Sequence, residues 1–266
     1  MESKEETTRK MRDHIRWICD RIGPRLPCST AERGCTVRGK ALLIGNSDGI
    51  GLATTTRLLQ QGWKVVGLSR SRSSIEHPSY EHIVTQVQHD EYPDRLRSVL
   101  EKGEPIDLCV YCAGIGELLD PLDMTIEKEI FDVNLMGMVK TVSCVVPSMV
   151  RRGQGHFIGV SSMADEMLSA EAPSYHASKA GFSNYLEGLA LALRPKGIHV
   201  TNVRFGFVDT KMAKADVKPF MMGVERATEH LLRCIEKKPV RYTAPWILIP
   251  LLKLLSWMLR LRTLTS

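Results

Sequence analysis

From Lys40 onward, short continuous apolar runs alternate with longer stretches of helical periodicity, and this alternation limits the possible folds more than any other feature. The runs predict strands at Ala41–Ile44, Lys64–Leu68, His82–Val87, Ile106–Tyr111, His156–Val160, His199–Val203 and near Val240–Thr243. The helical patterns between them cover Ile50–Gln61, Tyr92–Lys102, Met124–Arg152, Ser174–Leu193 and Gly223–Lys237. Continuous apolar strands separated by helices are typical of a parallel sheet that is covered on both faces. The sequence therefore predicts an α/β fold, a doubly wound, mostly parallel seven-stranded sheet in a single domain.

Two segments flank this domain, which we place at residues 40–243. Residues 1–39 form an N-terminal extension in which Met11, Ile15, Ile18 and Ile22 follow a 4-3-4 spacing. That spacing predicts an amphipathic helix that packs on the domain or on a second subunit. Residues 244–266 form an apolar and basic C-terminal helix.

The charge is distributed unevenly along the chain. The 266 residues carry 36 Lys and Arg against 30 Asp and Glu, a formal net charge of +6. Six of the basic residues and no acidic residue lie between Lys237 and Ser266, which leaves the preceding residues neutral at 30 against 30. A nucleic-acid-binding protein spreads basic charge over a face, so this distribution argues against nucleic acid as a partner.

Cysteine usage and the N-terminus both favour a cytoplasmic protein. The seven cysteines are odd in number and without regular spacing, which is typical of reduced thiols. Cys109 and Cys112 belong to a predicted buried strand and its exit, without a second pair at zinc-like spacing, so no metal site is predicted. The N-terminus lacks an apolar secretory run and contains several acidic residues, which speak against a transit peptide.

A glycine turn follows the first predicted strand and precedes a helix. Its residues are Gly45, Asn46, Ser47, Asp48, Gly49, Ile50 and Gly51. Glycines permit a tight turn and close approach of the backbone, and the N–H groups at a helix start attract an anion. Because doubly wound sheets bind ligands at the carboxyl ends of their strands, this turn is predicted to bind a dinucleotide phosphate.

The end of the second predicted strand points to the form of the dinucleotide. Ser69 and Arg70 stand where an acidic residue would accept the ribose hydroxyls of NAD. A hydroxyl and a planar cation suit the 2′-phosphate of NADP instead. We expect NADP(H) to be preferred, with NAD(H) possible.

Three side chains form a predicted catalytic group. Tyr175 and Lys179 lie four residues apart in a helical segment, so they project from one face. A neighbouring ammonium, joined by the positive nicotinamide of an oxidised cofactor, is expected to lower the pKa of the phenol. Ser162, just beyond the fifth strand, is predicted to hydrogen-bond a substrate carbonyl as charge develops on its oxygen.

These motifs together resemble the short-chain dehydrogenase/reductase family, from about Gly39 to Thr243, and this resemblance implies a Rossmann-type fold. The matching pieces are the glycine turn, Cys112-Ala113-Gly114, Asn134, Ser161-Ser162, Tyr175 to Lys179, and Gly206-Phe207-Val208-Asp209-Thr210. The resemblance implies that Tyr175 is the acid/base, that Ser162 polarises the substrate oxygen, and that Lys179 holds the nicotinamide ribose. It implies further that Asn134 anchors a relay water and that Asp90 contacts the adenine. The implied cofactor site comprises Gly45, Ser47, Asp48, Gly49, Ile50, Gly51, Ser69, Arg70, Asp90, Ala113, Gly114, Tyr175, Lys179, Gly206, Val208 and Thr210.

Three residues depart from the family pattern. Ile44 replaces a threonine, Cys112 replaces the asparagine of Asn-Ala-Gly, and Phe205 replaces the proline before Gly206. The first two remove polar side chains between central strands, and the third removes a fixed φ near the nicotinamide.

The C-terminal run Trp246–Leu261 is the least family-like part of the chain. It carries a wide apolar face with a narrow stripe of Lys253, Ser256 and Arg260, and it falls short of the ~20 apolar residues of a spanning helix. Two interpretations remain open: a helix in the membrane interface, or a helix that covers the substrate cleft or a partner subunit.

The leading functional prediction is an NADP(H)-dependent oxidoreductase that interconverts a carbonyl and a secondary alcohol on a hydrophobic substrate. We expect a cytoplasmic, homo-oligomeric enzyme, a dimer or tetramer, with possible peripheral membrane contact through residues 244–266. The alternative is a dinucleotide-binding scaffold or redox sensor with little turnover, docked to a membrane or partner by its tail.

Overall fold

A computed structural model describes residues 38–101, 103–212 and 220–265, with side chains described as far as residue 261. The seven strands are β1 (Lys40–Ile44), β2 (Lys64–Ser69), β3 (Tyr80–Val84), β4 (Leu108–Tyr111), β5 (Gly155–Ser162), β6 (Ile198–Phe205) and β7 (Arg241–Ala244). The α-helices are α1 (Gly49–Gln60), α2 (Tyr92–Glu101), α3 (Thr125–Phe131), α4 (Gly137–Arg152), α5 (Pro173–Leu193), α6 (Val224–Lys237) and α7 (Ile249–Thr265). The helix predicted within residues 1–39 lies outside the described residues.

The strands form one sheet in the order β3-β2-β1-β4-β5-β6-β7, and every pair between neighbours is parallel. The chain therefore builds outward from β1 in one direction and from β4 in the other. The crevice between the carboxyl ends of β1 and β4 is the switch point at which such sheets bind ligands. The predicted doubly wound, seven-stranded sheet is confirmed.

Helices cover both faces of the sheet because alternate strand residues point to opposite sides. Leu42 and Ile44 of β1 lie in the core beneath α2, α4 and α5, and Ala41 and Leu43 lie in the core beneath α1 and α6. All four are fully buried. Two apolar cores thus hold the sheet rigid from β1 to β7.

The single helix predicted from Met124 to Arg152 is interrupted. A π-helical turn, Asp132–Met136, separates α3 from α4. The phenol of Tyr111 donates a hydrogen bond to the Val133 carbonyl at 2.6 Å, and a Cβ on Gly137 would lie only 2.4 Å from that phenol oxygen. A tertiary contact that the periodicity could not reveal therefore shapes this turn, which carries Asn134.

The apolar run Trp246–Leu261 forms a short 3₁₀ turn followed by α7. One side of α7 packs on the domain through Ser256, which is 6% exposed, while Leu251, Leu254, Trp257, Met258 and Leu261 are exposed. In the described part of the chain, only the stretch Thr125–Arg152 is both long and apolar enough to cross a membrane. Half of its apolar 18-residue segment is buried inside the domain.

Candidate active site

The glycine turn lies directly against the loop that follows β4. A Cβ on Gly45 would lie 2.5 Å from the Ala113 backbone nitrogen, and Gly45 adopts a φ of +83°. A Cβ on Gly51 would lie 2.1 Å from the Gly45 carbonyl oxygen. Glycine is therefore required at both positions, and the turn, with Ser47, Asp48, Gly49 and Ile50, occupies the switch point.

A polar chain that sequence reasoning missed holds this turn in place. The buried Asn46 amide donates to Tyr80 Oη at 2.8 Å and to Thr55 Oγ1 at 3.2 Å. Tyr80 Oη lies 2.8 Å from His82 Nδ1, and His82 Nε2 lies 3.0 Å from the Ser71 carbonyl. The only sequence signal was the pair Tyr80 and His82, two residues apart in β3 and therefore on one side of the strand.

The same chain reaches the segment predicted to select the cofactor. Ser69 is buried, and its hydroxyl donates to the Ser71 carbonyl at 2.8 Å, so it fixes the turn that carries Arg70. Arg70 is exposed at the carboxyl end of β2. The structure thus places an exposed cation at the carboxyl end of β2, whereas the Ser69 hydroxyl is already engaged by the protein.

Asp90, the predicted adenine contact, lies in the loop between β3 and α2. The Thr85 backbone N–H donates to the Ser69 carbonyl at 3.0 Å, which places Thr85 and Gln86 next to the end of β2. Asp90 follows several residues later, is exposed, and acts electrostatically on Lys128 of α3. Gln86, next to the end of β2, is therefore a second candidate to face an adenine, and the contact of Asp90 stays a prediction.

Tyr175 and Ser162 come together as predicted. Tyr175 lies in the first turn of α5, and Ser162 is the last residue of β5 rather than a residue beyond it. The Ser162 side chain hydrogen-bonds the phenol, and the ring of Tyr175 lies against Gly116, where a Cβ would be 3.2 Å away. These contacts leave the phenol and the hydroxyl side by side at the end of the sheet.

Burial decides the ionisation of the two titratable groups. It raises the pKa of Tyr175 above its usual value, although the Ser162 hydrogen bond acts to lower it. The predicted lowering combined the Lys179 ammonium with the positive nicotinamide of a bound cofactor, and it stays a prediction; in the protein alone, desolvation is the largest effect on this pKa. Burial also lowers the pKa of Lys179 to about 8.

Lys179 lies one helical turn from Tyr175 on the same face of α5. The residue is only 4% exposed. Its ammonium donates to the Val160 carbonyl at 3.2 Å and lies 5.9 Å from the centre of the Tyr175 ring. A Cβ on Gly114 would lie 3.6 Å from this ammonium. Lys179 thus faces the loop after β4 and the phenol together.

Asn134 is fully buried between that loop and α5. Its Oδ1 accepts from the Ile115 N–H at 2.8 Å, and its Nδ2 donates to the Ile115 carbonyl at 2.9 Å and to Ser178 Oγ at 3.1 Å. Both N–H donors of the amide are therefore engaged by protein atoms. Its side chain locks the loop and the catalytic helix together.

The loop after β6 reaches back to the glycine turn. The Thr210 methyl lies 3.2 Å from a Cβ built on Gly49, and Lys211 Nζ lies 2.6 Å from the Asp48 carboxylate. Val208 is buried and pairs with Met222. Gly206 lies near Met163, the residue that follows Ser162. This loop therefore spans the crevice from the catalytic end to the phosphate end.

The three departures from the family pattern are accommodated by apolar packing. Ile44 is fully buried, and its carbonyl accepts the Cys112 N–H at 2.8 Å, so the backbone still links β1 to the exit of β4. Phe205 is buried at the end of β6 beside Ser162 in register, and the strand continues through it. The four described cysteines are free, and no cluster of three metal-binding side chains occurs in the described ranges.

Comparison with known proteins places the chain in a family. A model of the short chain dehydrogenase family matches residues 40–219. An uncharacterized oxidoreductase of Myxococcus xanthus is 30% identical over 220 residues, which cover 77% of this chain and 87% of that protein. The chain belongs to the short chain dehydrogenase family. Its relatives are named oxidoreductases, which favours an enzyme over the scaffold alternative.

Two further proteins bear on the fold and the chemistry. A very-long-chain 3-oxoacyl-CoA reductase of Anas platyrhynchos is 31% identical over 198 residues, which cover 68% of this chain and 63% of that protein. A short chain dehydrogenase from Burkholderia cenocepacia, solved in complex with NADP, superimposes with a TM-score of 0.74 at 22% identity. The match covers 85% of this chain and 98% of that one. This likeness confirms the fold.

Proposed function

We propose that the protein is an NADP(H)-dependent oxidoreductase that interconverts a carbonyl and a secondary alcohol. The observation that carries this proposal is the joint placement of Tyr175, Ser162 and Lys179 at the carboxyl ends of the strands. A phenol and a hydroxyl side by side can share one substrate oxygen, and a nearby ammonium stabilises the phenolate. This set of groups suits acid/base chemistry on a carbonyl.

The residues of the crevice fit a phosphorylated dinucleotide. Gly45 and Gly51 leave no room for a Cβ, so their backbone can approach a pyrophosphate at the start of α1. Arg70 would face a 2′-phosphate, Thr85-Gln86 the adenine, and Ala113, Gly114, Val208 and Thr210 the remaining length of the molecule. When bound, such a cofactor supplies or accepts the hydride.

In the proposed reaction, Ser162 donates its hydrogen bond to the substrate oxygen and Tyr175 transfers a proton at its Oη. Lys179 would act in two ways: its ammonium would hold the ribose hydroxyls of a bound cofactor, and its charge would favour the phenolate. Asn134 holds α5 and the loop after β4 together. We place a relay water beside the π-helical turn that carries Asn134. The relay stays a prediction.

The mouth of the site supports an apolar substrate. The Leu119 N–H donates to the Glu171 carbonyl at 2.7 Å, which joins the loops that follow β4 and β5. Leu118 and Leu168 on these loops are exposed, as is Met212, whose terminal carbon lies 3.4 Å from a Cβ built on Gly114. Exposed apolar side chains around a cleft are typical of a site for an apolar ligand. The relative from Anas platyrhynchos, named a 3-oxoacyl-CoA reductase, suggests a ketone on a long acyl chain.

Turnover assays test the proposal. NADPH oxidation is followed with 3-oxoacyl thioesters of increasing chain length, and NADP⁺ reduction with the matching 3-hydroxyacyl thioesters. We expect activity that rises with chain length and falls at least about a thousandfold in Tyr175→Phe, because the proton donor is removed. NADPH binding by Tyr175→Phe should fall far less than the rate, because the other residues of the proposed cofactor site are unchanged. An unchanged rate in this variant would overturn the assigned mechanism.

We further propose that α7 lies in the surface of an anionic membrane. The side of α7 opposite Ser256 exposes Leu251, Leu254 and Met258, with Trp257 on one flank. Residues 237–266 carry six basic and no acidic side chains, which complements anionic lipid. Because α7 packs against the Met163–Glu166 turn, docking would bring the substrate mouth close to lipid. A homo-oligomer and cytoplasmic location remain predictions.

A further inference from the structure

The largest fully buried side chain among the described residues is that of a cation outside the catalytic group. Arg204 lies in β6 with a side chain that is 0% exposed. Its Nε donates to Asp165 Oδ2 at 2.6 Å and its Nη2 to Asp165 Oδ1 at 2.5 Å, a two-point ion pair. Nη2 also donates to Glu166 Oε1 at 2.8 Å. Burying charged side chains costs free energy, which pairing offsets only in part. This buried ion pair therefore indicates a role other than stability.

The ion pair joins the elements that carry the catalytic side chains. Asp165 belongs to the 3₁₀ turn Met163–Glu166, which begins at Ser162, and the Ser162 hydroxyl caps that turn by accepting the Ala164 N–H at 3.1 Å. Arg204 pairs in register with Ser161, the neighbour of Ser162. The guanidinium therefore clamps the turn onto the strand beside it.

Asp165 reaches the catalytic helix as well. Its Oδ2 accepts the Ser183 hydroxyl at 2.5 Å, and Ser183 Oγ lies 2.8 Å from Ser161 Oγ. Because the Ser183 proton is given to Asp165, Ser161 is the donor in the second bond. Ser183 follows Lys179 and Tyr175 at four-residue spacing, so all three lie on one face of α5. One carboxylate thus ties β5, β6 and α5 together.

The charge of Asp165 also acts on the catalytic groups. It raises the pKa of Tyr175, after burial and the Ser162 hydrogen bond, and it raises the pKa of Lys179. The other titratable groups acting on Lys179 are Cys112 and, at 5.9 Å, the Tyr175 ring. Asp165 is therefore a carboxylate whose charge acts on both members of the pair.

We propose that Asp165 and Arg204 are positioning residues of the active site: their ion pair fixes the Ser162 turn against α5 and sets the charge that Tyr175 and Lys179 experience. Neither residue touches the reacting atoms. Asp165 acts through Ser183 and the turn, and Arg204 acts through Asp165.

The first test follows the titration of Lys179 and needs no substrate. Protein labelled with ¹³Cε-lysine is titrated by NMR, and the Lys179 signal is identified by its loss in Lys179→Met. In Asp165→Asn we expect the pKa of Lys179 to fall by about one pH unit, because the anion that favours the ammonium is gone. Arg204 retains Glu166 as a partner in this variant, which keeps the buried cation compensated.

Glu187→Gln is the matched control. Glu187 accepts from Arg241 at 2.7 Å and from Asn202 at 2.8 Å, so it is also an ion-paired carboxylate between α5 and the sheet. It does not act on Tyr175 or Lys179. The proposal is overturned if Asp165→Asn leaves the Lys179 titration unmoved, or if Glu187→Gln moves it equally.

The second test separates positioning from general stability, and it alone rests on the proposed function. Arg204→Met should lower kcat by about tenfold or more while the Kd for NADPH stays within about twofold, since the Ser162 turn loses its clamp and no residue of the proposed cofactor site is changed. Arg204→Lys should recover part of the lost kcat. A wild-type kcat in Arg204→Met, or an equal loss of NADPH affinity, would contradict the proposal. If the wild type turns over no substrate, the proposed function fails while the Lys179 titration still decides this inference.

Discussion

Lys211 and Asp48 form an ion pair of 2.6 Å that joins the loop after β6 to the glycine turn after β1. The Asp48 carboxylate also accepts the Gly49 N–H at 2.8 Å, at the helix start where a pyrophosphate is expected. The bonds from Lys211 and Gly49 hold the pKa of Asp48 below its usual value, so the carboxylate is charged. Lys211 therefore offsets a negative charge in a site that is built for an anion.

The first prediction concerns this pair. We expect Lys211→Met to weaken NADPH binding about two- to fivefold, because an uncompensated Asp48 repels phosphate and exposed pairs contribute modestly. The double variant Asp48→Asn/Lys211→Met should regain the wild-type affinity. Fluorescence titration with NADPH measures both. Lys196→Met, at the opposite edge of the sheet, serves as the control, and tighter binding by Lys211→Met would contradict the account.

Cofactor preference is expected to depend on Arg70. Arg70→Ala should raise the KM for NADPH about tenfold and leave the KM for NADH unchanged, because only the former carries a 2′-phosphate for the guanidinium. Steady-state kinetics with both cofactors measure the ratio. Arg57→Ala, at the far end of α1, is the control. Equal changes for the two cofactors would show that Arg70 does not read the phosphate.

The buried ammonium of Lys179 predicts a gain in stability when it is removed. Its pKa is lowered to about 8 from 10.5, so the unfolded chain binds more protons between these values and stability rises with pH in that window. Below pH 8 the folded protein bears the full free-energy cost of burying the charged ammonium, about 3 kcal/mol from the size of the pKa shift. The lost hydrogen bond to Val160 offsets about 1 kcal/mol of it.

We therefore expect Lys179→Met to be more stable than the wild type by about 1–2 kcal/mol at pH 7, although inactive. The difference should shrink as the pH rises from 8 to 10.5. Urea unfolding at pH 7 and pH 9.5 measures it. Lys196→Met, which removes an exposed lysine, is the control and should change stability little at either pH. A Lys179→Met variant that is less stable than the wild type at pH 7 would contradict the predicted gain in stability.

The π-helical turn predicts non-additive mutations. Gly137→Ala should destabilise the protein by about 1–3 kcal/mol, since its Cβ would meet the Tyr111 phenol at 2.4 Å and Val87 at 2.8 Å. Tyr111→Phe alone leaves the buried Val133 carbonyl without its donor and should cost about 1–2 kcal/mol.

The double variant should cost less than the sum, because removing the oxygen relieves part of the clash. Thermal and urea unfolding of the wild type, both single variants and the double variant measure this non-additivity. Gly188→Ala on α5 is the matched control: a Cβ there meets no atom within 4 Å, so this change should stabilise by about 0.5–1 kcal/mol. If the free-energy changes of the two single variants simply add in the double variant, the expected clash between a Cβ at position 137 and the Tyr111 phenol is contradicted.

The exposed face of α7 predicts lipid binding. Replacing Leu251, Leu254 and Met258 together with Gln should abolish pelleting with vesicles that contain phosphatidylserine, because the apolar face is lost. Leu122→Gln, an exposed leucine outside α7, should pellet like the wild type. Neutral phosphatidylcholine vesicles should retain less protein in every case. Gel filtration distinguishes the other interpretation: a change from dimer to monomer with unchanged pelleting would assign α7 to a subunit interface.

The sequence by itself determined the order of strands and helices and the chemistry at the strand ends. Apolar periodicity is a local property, so it located β1 to β7 within a few residues and put Tyr175 and Lys179 on one face of α5. The ends of parallel strands must meet at one edge of the sheet, which is why Gly45, Ala113 and Ser162 were brought together as expected.

Only the tertiary structure decided the contacts between distant segments and the charges they create. Arg204 and Asp165 lie 39 positions apart, and Tyr111 and Val133 lie 22 apart. Neither pair has a local signature. The same holds for the pKa of Tyr175, where burial outweighs the hydrogen bond with the Ser162 hydroxyl, and for Asp90, which acts electrostatically on Lys128 of α3. Desolvation and long-range pairing depend on what the folded chain excludes from water, and no pattern of spacing contains that information.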